Sequence, residues 1–324
     1  MGKKILMGVL IFAIIVGIGG YVILSRLARL DAAAINAYVD GEVTASTARD
    51  IILATRINTN NLFEFNTDET KVDITLTRIK GRQKDAVVVL RQKLEKCVIA
   101  LYEKRGDVYK FVALVGTFTD VREAQALPIR EQGGSAIIVR DRVNSEGTQA
   151  TYIKGYAWQD DHFTQVLSIL ERYCWYHNEL ADKNKPANRS NWQRLSQRAD
   201  MVWQDEDSPV LHVLFHQTYG LSILAAQEKL PADNEFELVR SRDVMEQYAW
   251  SGRWMHFILF EATNLKNGEP CAVVEDLAGS PYGLLSEYSG ETDKFRVKYL
   301  DGEMAIVDKA DIKPGIEIKR TRSM

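Results

Sequence analysis

Three patterns of hydrophobic and polar positions succeed one another along the chain. From Ile5 to Leu24 the run ILMGVLIFAIIVGIGGYVIL is unbroken: it holds no charged residue, and only Tyr21 carries a polar tip. As a helix, twenty residues at about 1.5 Å each span about 30 Å, the thickness of a bilayer core. From Ser25 the spacing becomes helical. Leu27, Leu30, Ala34 and Ala37 recur every three or four positions up to Tyr38, and Gly41 is a stop signal. A second helix starts at Thr44 or Ser46 and carries Ala48, Ile51, Ile52 and Thr55 on one face. Asn58 to Asn61 end it. From Val72 the period changes to two. VDITLTRI alternates, while DAVVVL and CVIALYEK are near-continuous apolar runs flanked by charge.

The β pattern then persists to the C-terminus. Arg105-Gly106-Asp107 joins CVIALYEK to VYKFVALVG as a turn between antiparallel strands, which accounts fully for that tripeptide. Beyond Asp160-Asp161 an aromatic spacing recurs: Phe163 to Trp175, Trp192 to Trp203, and Phe236 to Trp250 each open with an aromatic and close on Trp. Each leads to a further strand-like run or a turn, as in a degenerate tandem of strand pairs. The expected body is therefore mainly β and antiparallel, a propeller-like or sandwich-like meander. Phe163, Val166, Leu167 and Leu170 also fit a helix face, so the first of these units reads either way.

The resulting expectation has four parts: a transmembrane signal-anchor at 1–25, a short helical stalk at 26–60, a β-rich body at 61–268, and a small barrel at 269–324. The apolar run exceeds the 7–15 residues of a signal-peptide core, and the nearest small-residue cleavage pattern, Ala32-Ala33-Ala34, lies behind two arginines. An uncleaved anchor is the expected outcome.

In the last part, FRVKYL and EMAIVD flank Asp301-Gly302, a strong two-residue hairpin signal, and KADIKP follows. The run FRVKYLDGEMAIVDKADIKP resembles the closing strands of Src-homology-3-like and Tudor-like barrels over about fifty residues. That resemblance implies a peptide- or partner-binding module. Tyr282, Tyr288, Phe295 and Tyr299 are the aromatics placed to line its groove, or else to fill its core.

Charge narrows the partners. Setting aside Lys3, Lys4, Arg26 and Arg29 leaves 37 of the 41 basic residues against 44 acidic ones, a net charge of about −7. A mildly acidic body argues against nucleic acid as a partner. Cys97, Cys174 and Cys271 stand far apart, outside any metal-ligand spacing, and at most one disulfide could form. His212 and His216 are four apart, but Val213 stands where the zinc-protease pattern needs Glu. On a strand the two histidines share one face about 13 Å apart, too far for one metal. His162, His177 and His256 are isolated. Asp205-Glu206-Asp207 lacks the spaced ligands of a calcium loop. No nucleophile-elbow, phosphate-loop or dinucleotide glycine pattern occurs in the sequence, and no cofactor is expected.

The function class that follows is a membrane-anchored binding or scaffold protein of a bacterial cell envelope, contacting lipid through Ile5–Leu24 and a protein partner through its body. The alternatives are an envelope hydrolase with dispersed carboxylates, using Asp160, Asp161 or Glu171, and a cytoplasm-facing membrane-tethered adaptor. The flanks of the apolar run, Lys3 and Lys4 against Arg26 and Arg29, nearly balance. The usual behaviour of an N-terminal anchor then makes this a single-pass protein of the cell membrane, with Thr44 onward on the extracytoplasmic side.

Overall fold

The computed structural model describes residues 25–42, 44–60, 66, 68–79, 84–92, 96–129, 133–145, 147–178, 192–204, 208–222, 229–285 and 293–315. Ile5–Leu24, Asp205 to Asp207 and Tyr288 lie outside them. Eighteen strands among the described residues form three antiparallel sheets, of five, eight and five strands.

The first sheet has the order β1-β5-β4-β3-β2, from β1 (Arg29–Asp31), β2 (Thr70–Thr77), β3 (Asp85–Gln92), β4 (Lys96–Arg105) and β5 (Val108–Phe118). The apolar runs become β3 and β4, buried on both faces, as their lack of alternation requires. On one face pack helices α1 (Ala32–Val39) and α2 (Ala45–Asn58), where Ile35, Ile51, Ile52 and Ala54 meet Val88, Leu90, Val98, Ala100 and Tyr102. Against the other, Ala124 to Ala126 of β6 (Asp120–Ile129) and Ile137 share a small cavity with Val87 and Val89. The Tyr102 hydroxyl is buried in hydrogen-bond contact with Thr55 Oγ1 at 3.0 Å, and burial pushes its pKa up to about 12.

The expected stalk is corrected here. Residues 26–60 do not lead away from a body. β1 pairs with β5, and both helices bury their apolar faces on the sheet. The single helix read from Ser25 to Tyr38 is broken as well. Asp31 leaves the strand in an extended conformation and caps α1, its Oδ1 accepting from Ala34 N at 2.9 Å. The second helix starts as read: Thr44 Oγ1 accepts from Thr47 N at 3.2 Å.

The second sheet is one uninterrupted meander. Its order is β13-β12-β11-β10-β9-β8-β7-β6, adding β7 (Gly134–Ser145), β8 (Thr148–Gln159), β9 (His162–Asn178), β10 (Trp192–Gln204), β11 (Val210–Ser222), β12 (Phe236–Ser251) and β13 (His256–Ile258). The expected antiparallel meander is present, but as a single eight-stranded sheet, which overturns the propeller-like body. The three aromatic-to-Trp units are β9, β10 and β12, strands of a single sheet, and the first is a strand. Blades would be separate four-stranded sheets around a channel; here the strands run on as one eight-stranded sheet.

The third sheet is a small curled half-barrel ordered β17-β16-β15-β14-β18, from β14 (Phe260–Asn264), β15 (Pro270–Asp276), β16 (Lys294–Tyr299), β17 (Met304–Asp308) and β18 (Ile312–Pro314). Cys271, Val273 and Val297 form its core with Ala262 and Ile312. Its hairpin loop holds three residues, Leu300 to Gly302, because Tyr299 N donates to Glu303 O at 2.9 Å. Gly302 takes a positive φ of 92°, open to glycine without strain.

Two compact units divide the chain. One comprises residues to Leu127 with Gly133–Ile137 and Tyr156–Thr164. The other comprises Pro128–Gln132, Ile138–Gly155 and Gln165 onward. No helix among the described residues is long and apolar enough to cross a membrane, so the transmembrane helix expected at 1–25 is not an element of the described fold; Ile5–Leu24 lies outside it.

Candidate functional site

The long strands β9 to β12 present two faces of different character. Their register sorts every side chain. Leu195, Gln197 and Ala199 of β10 lie beside Tyr219, Gln217 and Phe215 of β11, which in turn lie beside Arg240, Arg242 and Val244 of β12. This inner face is covered by a strap, two 3-10 turns at Leu277–Gly279 and Pro281–Leu284.

Polar side chains fasten the strap. Gln217 Nε2 donates at 2.6 Å to both Gln197 Oε1 and the Gly279 carbonyl. The Arg242 guanidinium donates to Gln217 Oε1 and to the Ser280 carbonyl, each at 2.6 Å. Arg240 donates to the Leu284 carbonyl at 2.8 Å, and Gln197 Nε2 donates to the Leu170 carbonyl. Two glycines permit this closeness: a Cβ on Gly279 would strike the Glu246 carboxylate, and one on Gly283 would lie 2.7 Å from the Arg242 guanidinium.

Glu246 is the titratable group of this layer. Tyr248 donates its hydroxyl to Glu246 Oε2 at 2.5 Å. Burial nevertheless raises the Glu246 pKa to about 7, because desolvation outweighs that hydrogen bond. Asp276 and Glu275 push it the same way, while Lys309 opposes them. Asp276 is itself held by Lys309 at 2.6 Å and Glu275 by Arg296 at 2.7 Å.

The outer face of the same strands is open to solvent. Leu214 and Met245 stand directly opposite each other across β11 and β12, and Met245 is 80% exposed. Val202 of β10 adds a third exposed apolar side chain, at 61%. Beside them His216 lies between two carboxylates, Nδ1 2.9 Å from Asp243 and Nε2 3.2 Å from Asp200. The Asp243 contact, joined by Asp200, raises the imidazole pKa above its ordinary value. The guanidinium of Arg198, 3.0 Å from Asp200, holds that carboxyl below the ordinary range with help from His216.

The aromatics singled out from sequence fall in different settings. Tyr282 rides on the strap, 37% exposed, its ring edge-on to Tyr173 and their hydroxyls in hydrogen-bond contact. Phe295 packs edge-on against Phe260 within the half-barrel, with Lys309 Nζ 4.9 Å above its ring. Tyr299 packs on the same core and accepts from Asn264 Nδ2 at 2.7 Å through its hydroxyl. Asp160 and Asp161 form the two-residue turn between β8 and β9, with φ of 45° and 63°. Glu171 is buried against Arg140 at 2.9 Å. Among the described residues no group of three or more His, Cys, Asp or Glu is arranged to hold a metal.

Sequence reading passed over Gln197, Gln217, Arg242 and Glu246. Their signal was positional. Each occupies the inward parity of its strand, and on β11 Gln217 follows the apolar Leu211, Val213 and Phe215.

No protein-family model matches the chain, and no curated protein matches it.

Proposed function

We propose that this is a membrane-held binding protein whose partner surface is the outer face of β10 to β12. The single observation that carries the reading is the alignment of Leu214 and Met245, with Val202 close by, next to the His216 ion pairs, on a layer stiffened from behind by the strap. Exposed apolar side chains ringed by fixed charges are the composition of a protein interface, apolar at the centre and polar at the rim. Ile5–Leu24 supports contact with lipid, and the exported topology of an N-terminal anchor supports placing the body outside a cell membrane. The C-terminal half-barrel, in its likeness to Src-homology-3-like barrels, supports a second, peptide-sized contact.

Site-specific photo-crosslinking tests the assignment. With a photoreactive residue at Met245 in the full chain, irradiation of intact membranes should give a discrete protein adduct. Leu214→Asp, combined with the same probe, should abolish it. A probe at Leu265, an exposed position in the turn after β14, serves as the control. Equal labelling from both probes, or an adduct indifferent to Leu214→Asp, would remove this face from consideration.

A further inference from the structure

A cleft of about 230 Å³ opens between β1 and the two helices. Its floor is the apolar core edge at Leu30, Ile35 and Ile51, and its rim carries charge of both signs. Arg26 and Arg29 line it together with Asp31 and Asp50. Neither arginine, nor Asp50, makes an ion pair or side-chain hydrogen bond among the described residues. Two arginines that line one apolar-floored hollow, without a partner among the described residues, are a ready receptor for a phosphate, which guanidinium binds in a planar, two-pronged geometry.

The carboxylates decide which phosphate. A simple anion would gain from Arg26 and Arg29 and be opposed by Asp31 and Asp50. A group with a phosphate at one end and a primary ammonium at the other is complementary to both pairs. Size agrees: pockets for drug-sized molecules run from about 300 to 1,000 Å³, so this one suits something smaller. Position decides the source. Arg26 comes two residues after Leu24, the last residue of a run long enough to span a bilayer. Whatever holds that run in lipid brings the cleft to headgroup depth.

We propose that this cleft binds the phosphoethanolamine headgroup of a membrane phospholipid, phosphate on Arg26 and Arg29, ammonium on Asp31 and Asp50. The inference rests on the membrane reading given above and adds the lipid class.

The test uses the full chain with vesicles of phosphatidylcholine containing either phosphatidylethanolamine or phosphatidylglycerol. Flotation reads membrane association; native mass spectrometry of the detergent-extracted protein reads which lipid is retained. Wild type should float in both mixtures and retain phosphatidylethanolamine selectively. Arg26→Gln with Arg29→Gln should still float, with retention reduced about tenfold or more. Asp50→Asn should reverse the preference toward phosphatidylglycerol, and Arg49→Gln, an exposed neighbour on α2, should change nothing. A chain that floats but retains lipids without headgroup preference, or equally after the arginine replacements, overturns the cleft assignment and leaves the membrane reading standing. A chain that fails to float overturns both. Soluble glycerophosphoethanolamine should compete only weakly; full displacement would assign the cleft to a soluble phosphate ester and overturn the lipid source.

Discussion

Glu246→Gln isolates the strapped layer in one measurement. In the folded protein the carboxyl titrates near 7, raised from 4.5 by burial. The folded state therefore binds this proton more tightly than the unfolded chain does. Between those two values it carries more protons, so stability falls as pH rises through the window and stays level above it. A shift of that size corresponds to about 3 kcal/mol, since each pH unit is worth about 1.4 kcal/mol. Glutamine is neutral throughout, matches the side chain in size, and still accepts from Tyr248 through its carbonyl. Urea unfolding followed by tryptophan fluorescence is the assay, because Trp203 and Trp250 sit on the strands that bear the network. Wild type should lose up to about 3 kcal/mol between pH 5 and pH 8 relative to the variant. His216 titrates in both proteins, so subtracting the two profiles removes its contribution. Parallel profiles for wild type and Glu246→Gln would refute the claim that desolvation governs this carboxyl. Tyr248→Phe checks the sign independently: it removes the donor that favours the carboxylate, and should move the loss to higher pH.

Other consequences can be checked one by one. Tyr102→Phe removes a buried hydroxyl contact with Thr55 and should destabilise the first sheet and its helices by about 1–2 kcal/mol in urea unfolding. The His216 imidazole, followed by NMR, should titrate above its ordinary 6.5, and Asp243→Asn should bring it down. The stabilising contribution of that raised pKa is complete below 6.5 and lost as pH rises through the folded value. Single cysteines at Asn188 and Lys229, with the three native cysteines replaced, should react with a membrane-impermeant maleimide in intact cells. Labelling only after lysis would reverse the proposed topology.

Local chemistry carried the elements well. Thr44 with its oxygen aimed along the chain, the glycine and aspartate at residues 106 and 107, and the aspartate pair at 160 and 161 each specify a cap or turn within a few residues, and each holds in the fold. The continuous apolar runs at 86–90 and 97–102 state their own two-sided burial. Leu30 and Ile35 were legible as apolar but not as β1 and α1. The break at Asp31 depends on pairing with Val108 and Tyr109, about eighty positions on. That distant partner is also what turns an expected stalk into part of a core.

The aromatic recurrence misled for a related reason. Phe163, Trp192 and Phe236 fall at the starts of strands of similar length, but spacing along the chain is silent on whether successive strands split into separate blades or continue as one sheet. Hydrogen-bond register between strands decides that, and it joins β9 through β12 in chain order. The site follows the same division. Period two alone puts Gln197, Gln217, Arg242 and Glu246 on an inward face, an anomaly visible in the sequence. Only the tertiary structure brings the 277–285 strap over them and supplies the Gly279, Ser280 and Leu284 carbonyls that receive their hydrogen bonds. Strand alternation is a property of neighbouring residues and can be read locally. The satisfaction of a buried polar group depends on whichever distant segment arrives to meet it.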